Sequence, residues 1–268
     1  MKTILITDAT DGIGFETAKA LVAQGHRLLI HGRNEEKLAN TLQRLNKANP
    51  TTPIQGFLAD LTQFYEVNQL INDIKQKANH LDIIINNAGV LKTKTVKTNE
   101  SLDVRFLVNT LSPYVLTLGL IDLLADNGRI VNLSSAAQAS VNIDALMGNI
   151  ALNDAFQAYA QSKLAITIWS QELTKELNKK QVSVAVNPGS LLASKMVKEG
   201  FGMTGNDLTI GSDILVRAAL SDEFDDASGK YYDNDAKQFS LPHIDAQKPE
   251  ICAQVMAAIN VVIKEKVN

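Results

Sequence analysis

One cysteine, Cys252, is all that 268 residues provide. That excludes an intramolecular disulfide and points to a reducing compartment. Its neighbours Ala253, Val255 and Met256 follow a helical face, so the thiol is expected to pack rather than to react. Excess charge is missing as well. Lys and Arg number 26 against 29 Asp and Glu, and a net charge of −3 offers no basic field for nucleic acid or an anionic membrane. No apolar run reaches the roughly 18 residues that a membrane span needs. The first apolar stretch begins too near the start for a signal peptide to precede it. A cytoplasmic protein without a membrane anchor is the expectation, and no metal site is expected. What the chain does have is apolar bulk, 45% of its residues, enough for one substantial core.

That bulk is distributed in a regular alternation. Short apolar runs at 3–7, 27–31, 54–58, 82–86, 129–133 and 183–186 read as strands. Longer amphipathic patterns at 13–24, 35–46, 64–79, 100–124 and 156–178 read as helices. Strands that alternate with helices are joined by right-handed crossovers, which gives an α/β fold with a doubly wound parallel sheet. The strand runs are nearly continuous in Ile, Leu and Val, as strands buried on both faces are. No repeat or linker divides the chain. Two connections, 136–155 and 190–210, break the rhythm and are candidate walls of a substrate cleft.

The first strand runs straight into Thr7-Asp8-Ala9-Thr10-Asp11-Gly12-Ile13-Gly14. A helix N-terminus offers unpaired N–H groups and a partial positive charge, where a pyrophosphate can bind. Glycine lets the backbone approach closely and take a positive φ. Turns with two glycines are also common without any ligand, so this stretch alone decides nothing. Asp8 stands where such turns usually begin with a glycine.

More of the chain falls into one order: Asp60 after the third strand, Asn86-Asn87-Ala88-Gly89, Asn109, Ser134-Ser135, YAQSK at 159–163 and Asn187-Pro188-Gly189. Together with the glycine turn these motifs resemble the short-chain dehydrogenase/reductase family, over essentially the whole chain. LLIHGRN, the long gap between Ser135 and Tyr159, YAQSKLAITIWSQEL and SGKYYDN are most similar to its retinol-dehydrogenase and WW-domain-oxidoreductase branch. The resemblance implies a single Rossmann-type domain over 1–268, with about seven parallel strands and helices on both faces. It also implies a nicotinamide cofactor and a small alcohol or carbonyl substrate.

Tyr159 and Lys163 are four apart on a predicted helix, so they share a face. A free tyrosine, with a pKa near 10, is a poor base at neutral pH. A nearby ammonium favours the phenolate and moves that value toward the working range. The resemblance implies that Tyr159 exchanges a proton with the substrate oxygen and that Lys163 also holds the nicotinamide ribose. Ser135, at the end of the fifth strand, would donate to the substrate oxygen. Spacing does not choose between Ser134 and Ser135; the family's habit favours the second, and Ser134 suits a turn cap better. Asn109 lies in VNTLSPYVLT, where the family uses it to kink the helix and hold a relay water; a satisfied buried amide is the alternative, and Pro113 is a second source of a bend.

The cofactor is expected to touch Thr7, Asp8, Thr10, Asp11, Gly12, Ile13, Gly14, Asp60, Leu61, Asn87, Ala88, Gly89, Tyr159, Lys163, Pro188 and Gly189, with Asn86 mainly structural. After Pro188-Gly189 the family often places a threonine. Here Ala193 takes its place, and either Ser194 substitutes or the contact is missing. The end of the second strand carries Gly32-Arg33 instead of an acid, which leaves room and a guanidinium for a 2′-phosphate and favours NADP over NAD. Asp8 acts against a phosphate, or else accepts a ribose hydroxyl. The expected activity is an NADP(H)-dependent alcohol dehydrogenase or carbonyl reductase. Its alternative is a catalytically idle nucleotide-binding protein of the same fold. Leu146, Met147, Leu152, Phe156, Met196, Phe201 and Met203 in the two long connections suggest an apolar substrate. Helices 156–178 and 211–220 are available for a homodimer.

Overall fold

The computed structural model describes residues 1–193, 202 and 205–267. Seven parallel strands form one sheet: β1 (Thr3–Ile6), β2 (Arg27–Gly32), β3 (Ile54–Leu58), β4 (Leu81–Asn86), β5 (Leu124–Leu133), β6 (Val182–Asn187) and β7 (Tyr231–Asp233). An eighth, β8 (Gln238–Ser240), pairs antiparallel with β7, and the order is β3-β2-β1-β4-β5-β6-β7-β8. The expectation of about seven strands is therefore short by one edge strand. Three-residue strands in a hairpin are too brief to show a periodic pattern.

Helices cover both faces. On one lie α1 (Gly12–Ala23), α2 (Glu35–Ala48) and α8 (Leu208–Leu220). On the other lie α3 (Phe64–Lys77), α4 (Val104–Phe106), α5 (Ser112–Leu120), α6 (Ile143–Leu146), α7 (Ala155–Glu172) and α9 (Pro249–Lys266). Each strand feeds both cores in alternation. Ile4 and Ile6 point to the first and Leu5 to the second, as do Ile83, Ile85 and Ile84. Amphipathic α2 shows the helical counterpart: Leu38, Thr41 and Leu45 are buried at spacings of three and four, and Asn34 caps it by accepting from the Lys37 N–H.

The predicted helix 100–124 is shorter and less regular. It starts at Val104, passes through a π-helical turn at Leu107–Leu111, and ends in a 3₁₀ turn at Ile121–Leu123 before β5. Its 20 residues, Val104–Leu123, are long and apolar enough to cross a membrane, which the run-length reading did not register, because polar residues interrupt the run. The window is 72% buried inside the protein, where this helix packs between the sheet and its neighbours. Cys252 is buried on α9, in one cluster with Trp169 and Ile259. That helix packs against α7, most of whose residues are buried.

Candidate active site

The crevice at the C-terminal ends of β1, β4, β5 and β6 gathers the sequence motifs, at the point where the strand order reverses. The turn after β1 opens α1. Asp11 caps it, its carboxylate accepting from the Gly12 N–H at 2.9 Å, and Gly12 has φ 55°. Past the cap, Ile13 and Gly14 supply the N–H groups that a helix start leaves unpaired. Gly14 admits no side chain, since a Cβ there would collide with the Asp8 carbonyl and the Asn87 amide. Thr7 and Asn87 tie this turn to the end of β4. The Thr7 hydroxyl accepts from the N–H groups of Asn87 and Ala88, each at 3.0 Å, and the Asn87 amide donates to the Thr7 and Asp8 carbonyls at 2.9 and 3.1 Å. Asn86 links strands instead, donating to Asn132 at 2.8 Å and Thr117 at 2.9 Å.

Asp8 adopts φ 51°, the left-handed region that glycine would take at no cost. Burial raises its carboxyl above the usual range, against the pull of His31, Arg33 and Lys37. His31 is the residue that sequence reasoning missed. Its ring is buried on β2, where Nδ1 accepts from the Asp8 N–H at 3.2 Å and Nε2 lies 3.0 Å from the Ala59 carbonyl. The signal available was one polar ring in an otherwise apolar strand. Gly32 follows, with the Thr10 methyl packed over the place of its missing side chain, and Arg33 projects exposed beside the turn. At the end of β3 the Asp60 carboxylate accepts from Thr62 N–H, while the Leu61 carbonyl accepts from Ser112.

The structure separates the two serines that spacing leaves undivided. Ser134 is buried against α7, its hydroxyl 2.6 Å from that of Thr167 and 3.1 Å from the Lys163 carbonyl. Ser135 makes the turn cap expected of its neighbour, accepting from Ala137 N–H at 3.1 Å, and its side chain neighbours the Tyr159 phenol. Lys163 Nζ lies 5.6 Å from the Tyr159 ring centroid and donates to the Leu133 carbonyl at 2.7 Å. Burial lowers this lysine to about 7 and raises the tyrosine, against which Ser135 acts. The expected lowering of the phenol by Lys163 is not found in this arrangement, because burial penalises both charged forms. Asn109, in the π-helical turn, is fully paired by protein. Its amide oxygen accepts from Val90 N–H at 2.8 Å, and its nitrogen donates to the Val90 carbonyl and the Ser162 hydroxyl at 3.0 and 2.9 Å.

Pro188 and Gly189 follow β6, and Gly189 has φ 119°. Ser194, Met196, Phe201 and Met203 lie outside the described residues. Of the other apolar residues assigned to the cleft, Leu146 belongs to the core, Met147 and Leu152 pack against it, and Phe156 is exposed. Among the described residues no three metal-ligating side chains cluster.

This crevice is that of a known class. The short chain dehydrogenase family matches residues 2–203, and the chain belongs to that family. Human polyprenol dehydrogenase is 28% identical over 90% of this chain and 79% of its own length; human retinol dehydrogenase 13 is 29% identical over 96% and 82%. The WW domain-containing oxidoreductase of Drosophila melanogaster is 30% identical over 73% of this chain and half of its own, which supports the retinol-dehydrogenase and WW-domain-oxidoreductase branch. Among solved structures, a short chain dehydrogenase from Shigella flexneri complexed with NADP aligns at a TM-score of 0.69 and 27% identity, covering 87% of this chain and 97% of that one. An uncharacterized protein from Mycobacterium paratuberculosis shares the fold at a TM-score of 0.82 and 22% identity, covering 98% and 94%.

Proposed function

We propose that this chain is, as one domain, an NADP(H)-preferring oxidoreductase that interconverts a small, largely apolar alcohol and its carbonyl. The observation that carries the reading is the convergence of Ser135 on Tyr159, with Lys163 Nζ 5.6 Å from the phenol ring, one turn beyond on the same helix. Residues 7–14 fit a pyrophosphate, since the capped start of α1 presents its unpaired N–H groups beside left-handed Gly12. Exposed Arg33 suits a 2′-phosphate, whereas the space beside Gly32 is taken by Thr10, and the NADP complex of the structural relative supports that preference. When bound, the nicotinamide supplies or accepts the hydride. Tyr159 passes the proton to or from the substrate oxygen, and Ser135 donates a hydrogen bond to that oxygen as charge builds on it. Lys163 holds the ribose. Asn109 shapes the helix that faces them.

The alcohol substrates named for the polyprenol and retinol relatives support an apolar substrate. Cytoplasmic location is part of the same proposal. The idle-protein alternative rests on Asp8, a carboxylate where a glycine is usual, and on the altered run that follows Gly189. A panel of aldehydes, ketones and alcohols assayed with NADPH and NADH decides. Turnover with NADPH is expected. Binding of NADPH without turnover of any member would favour the alternative, and preference for NADH would refute the cofactor assignment.

A further inference from the structure

The run SGKYYDN leads into the β7–β8 hairpin, which lies beyond residues 2–203, the span of the family match. The hairpin touches the site on two sides. The Tyr231 hydroxyl donates to the Ser135 carbonyl at 3.1 Å. The Gln138 amide nitrogen donates to the same carbonyl at 3.0 Å, and its oxygen accepts from His243 N–H at 3.2 Å, just past β8. That acceptance fixes which way the amide points, so the Ser135 carbonyl accepts from two donors, one on the hairpin and one oriented by the segment that follows it. Tyr231 is buried, and burial beside Asp233 and Asp235 pushes its phenol far up, so it stays a donor at every working pH.

The following residues hold the other wall. Asn187 donates to Asp233 at 2.8 Å and to Asp235 at 2.9 Å. Asp235 also accepts from Ser190, from its N–H at 2.9 Å and its hydroxyl at 2.5 Å. Asn234 donates to the Pro188 carbonyl at 2.9 Å. Tyr231 and Asp233 are two apart on a strand and share one face, while Tyr232 between them faces the core against Phe224 and Phe239. One short strand therefore spans from the Ser135 turn to the Pro188-Gly189 turn.

We infer that residues 231–235 are positioning residues that set the distance between Ser135 and the Pro188-Gly189 turn, with Tyr231 acting through the Ser135 carbonyl. The inference rests on the proposed role of Ser135. A Ser135 whose backbone is held from two sides keeps its hydroxyl on Tyr159 without paying for rearrangement during the reaction. Loss of one donor lets the turn shift and weakens its hold on the phenol.

The test measures alcohol oxidation with the full chain, across pH, for Tyr231→Phe, Ser135→Ala and the wild type. Tyr231→Phe is expected to lower kcat about five- to tenfold, the worth of one hydrogen bond, and to leave cofactor Kd within about twofold. Its rising pH limb should move to higher pH, as in Ser135→Ala, because Ser135 is what opposes the rise of Tyr159. A variant that had merely lost stability would lose rate without that displacement. If Tyr231→Phe matches the wild type while Ser135→Ala is impaired, the inference is overturned and the role of Ser135 stands. If Ser135→Ala is itself unimpaired, that role falls and the inference falls with it. Should circular dichroism show Tyr231→Phe to be unfolded, Gln138→Ala removes the second donor to the same carbonyl and is read by the same criteria.

Discussion

Lys163→Met should make the cofactor-free protein more stable while removing its activity. Burial takes this lysine from an ordinary 10.5 to about 7. A group so depressed costs the folded state stability wherever the unfolded chain would carry the proton. The cost is complete below the folded value, shrinks between about 7 and 10.5, and vanishes above. At its full extent it is on the order of 4–5 kcal/mol. Methionine fills much of the same space without a charge. The Leu133 carbonyl loses its donor, which costs about 1–3 kcal/mol. The net gain is roughly 2 kcal/mol at pH 6, or about 4–8 °C in Tm for a chain of this size. At pH 9 the relief falls to roughly 2 kcal/mol and the lost hydrogen bond cancels it. Calorimetry of wild type and variant without cofactor, at pH 6 and pH 9, measures both. A variant less stable at pH 6, or a gain that does not shrink as pH rises, would refute the claim that a strained ammonium sits in this site. Retention of activity would refute its place in the chemistry.

Tyr159→Phe should cut kcat by more than about tenfold, a loss above roughly 1.4 kcal/mol, with cofactor Kd nearly unchanged, as steady-state kinetics and fluorescence titration will show. Arg33→Asp should shift preference from NADPH to NADH by about ten- to a hundredfold, measured as the ratio of kcat/KM values; an unchanged ratio removes the guanidinium from the 2′-phosphate site. Asp8→Asn keeps a residue that tolerates φ 51° and removes the carboxylate. It should tighten NADPH binding about three- to tenfold, more than NADH binding. Because the folded carboxyl is raised above its unfolded value, the carboxylate costs stability as pH climbs through about 4. The variant's stability gain should therefore be absent at pH 3 and present at pH 7, and a gain equal at both would place the side chain in solvent.

The parts of the fold that were legible are those that repeat a pattern over enough residues. β2, β3 and β4 and helices α1 to α3 stand where their periodicity places them, to within two residues at either end. Irregularity hid the rest. A helix through Asn109 is the natural reading of 100–124, yet three hydrogen bonds from one amide to Val90 and Ser162 favour a π-helical turn there. The antiparallel β8 is too short for any pattern. Within the site, spacing correctly joined Tyr159 to Lys163 on one helix face. It carried no information about burial, and burial moves both groups away from the charged forms. Ser134 and Ser135 were inseparable for the same reason. They follow β5 directly, and only the packing of α7 shows which one is enclosed.

Asp8 shows what a departure from a motif conveys without its surroundings. In the sequence it is a lone acid where glycine is usual, and it invites a reading in terms of the cofactor alone, as phosphate repulsion or a ribose contact. In the structure its partner lies 23 positions on. β1 and β2 pair in parallel with Ile6 opposite Ile30, so the next residues of each strand leave the sheet side by side. The β1 turn then bonds to β2 through Ala9 N–H and the His31 carbonyl at 2.9 Å. His31 Nδ1 accepts the Asp8 N–H and Nε2 faces the Ala59 carbonyl, an arrangement that only the neutral ring protonated on Nε2 can make. Burial, which lowers this histidine, favours that form. The ring thus pairs two backbone groups at the ends of three adjacent strands, each of which would otherwise stand unpaired in a mostly buried place. Glycine at position 8 would restore backbone freedom and still depend on His31 for its N–H. The carboxylate and the histidine are therefore separable: one sets charge at the crevice, the other holds the turn that forms it.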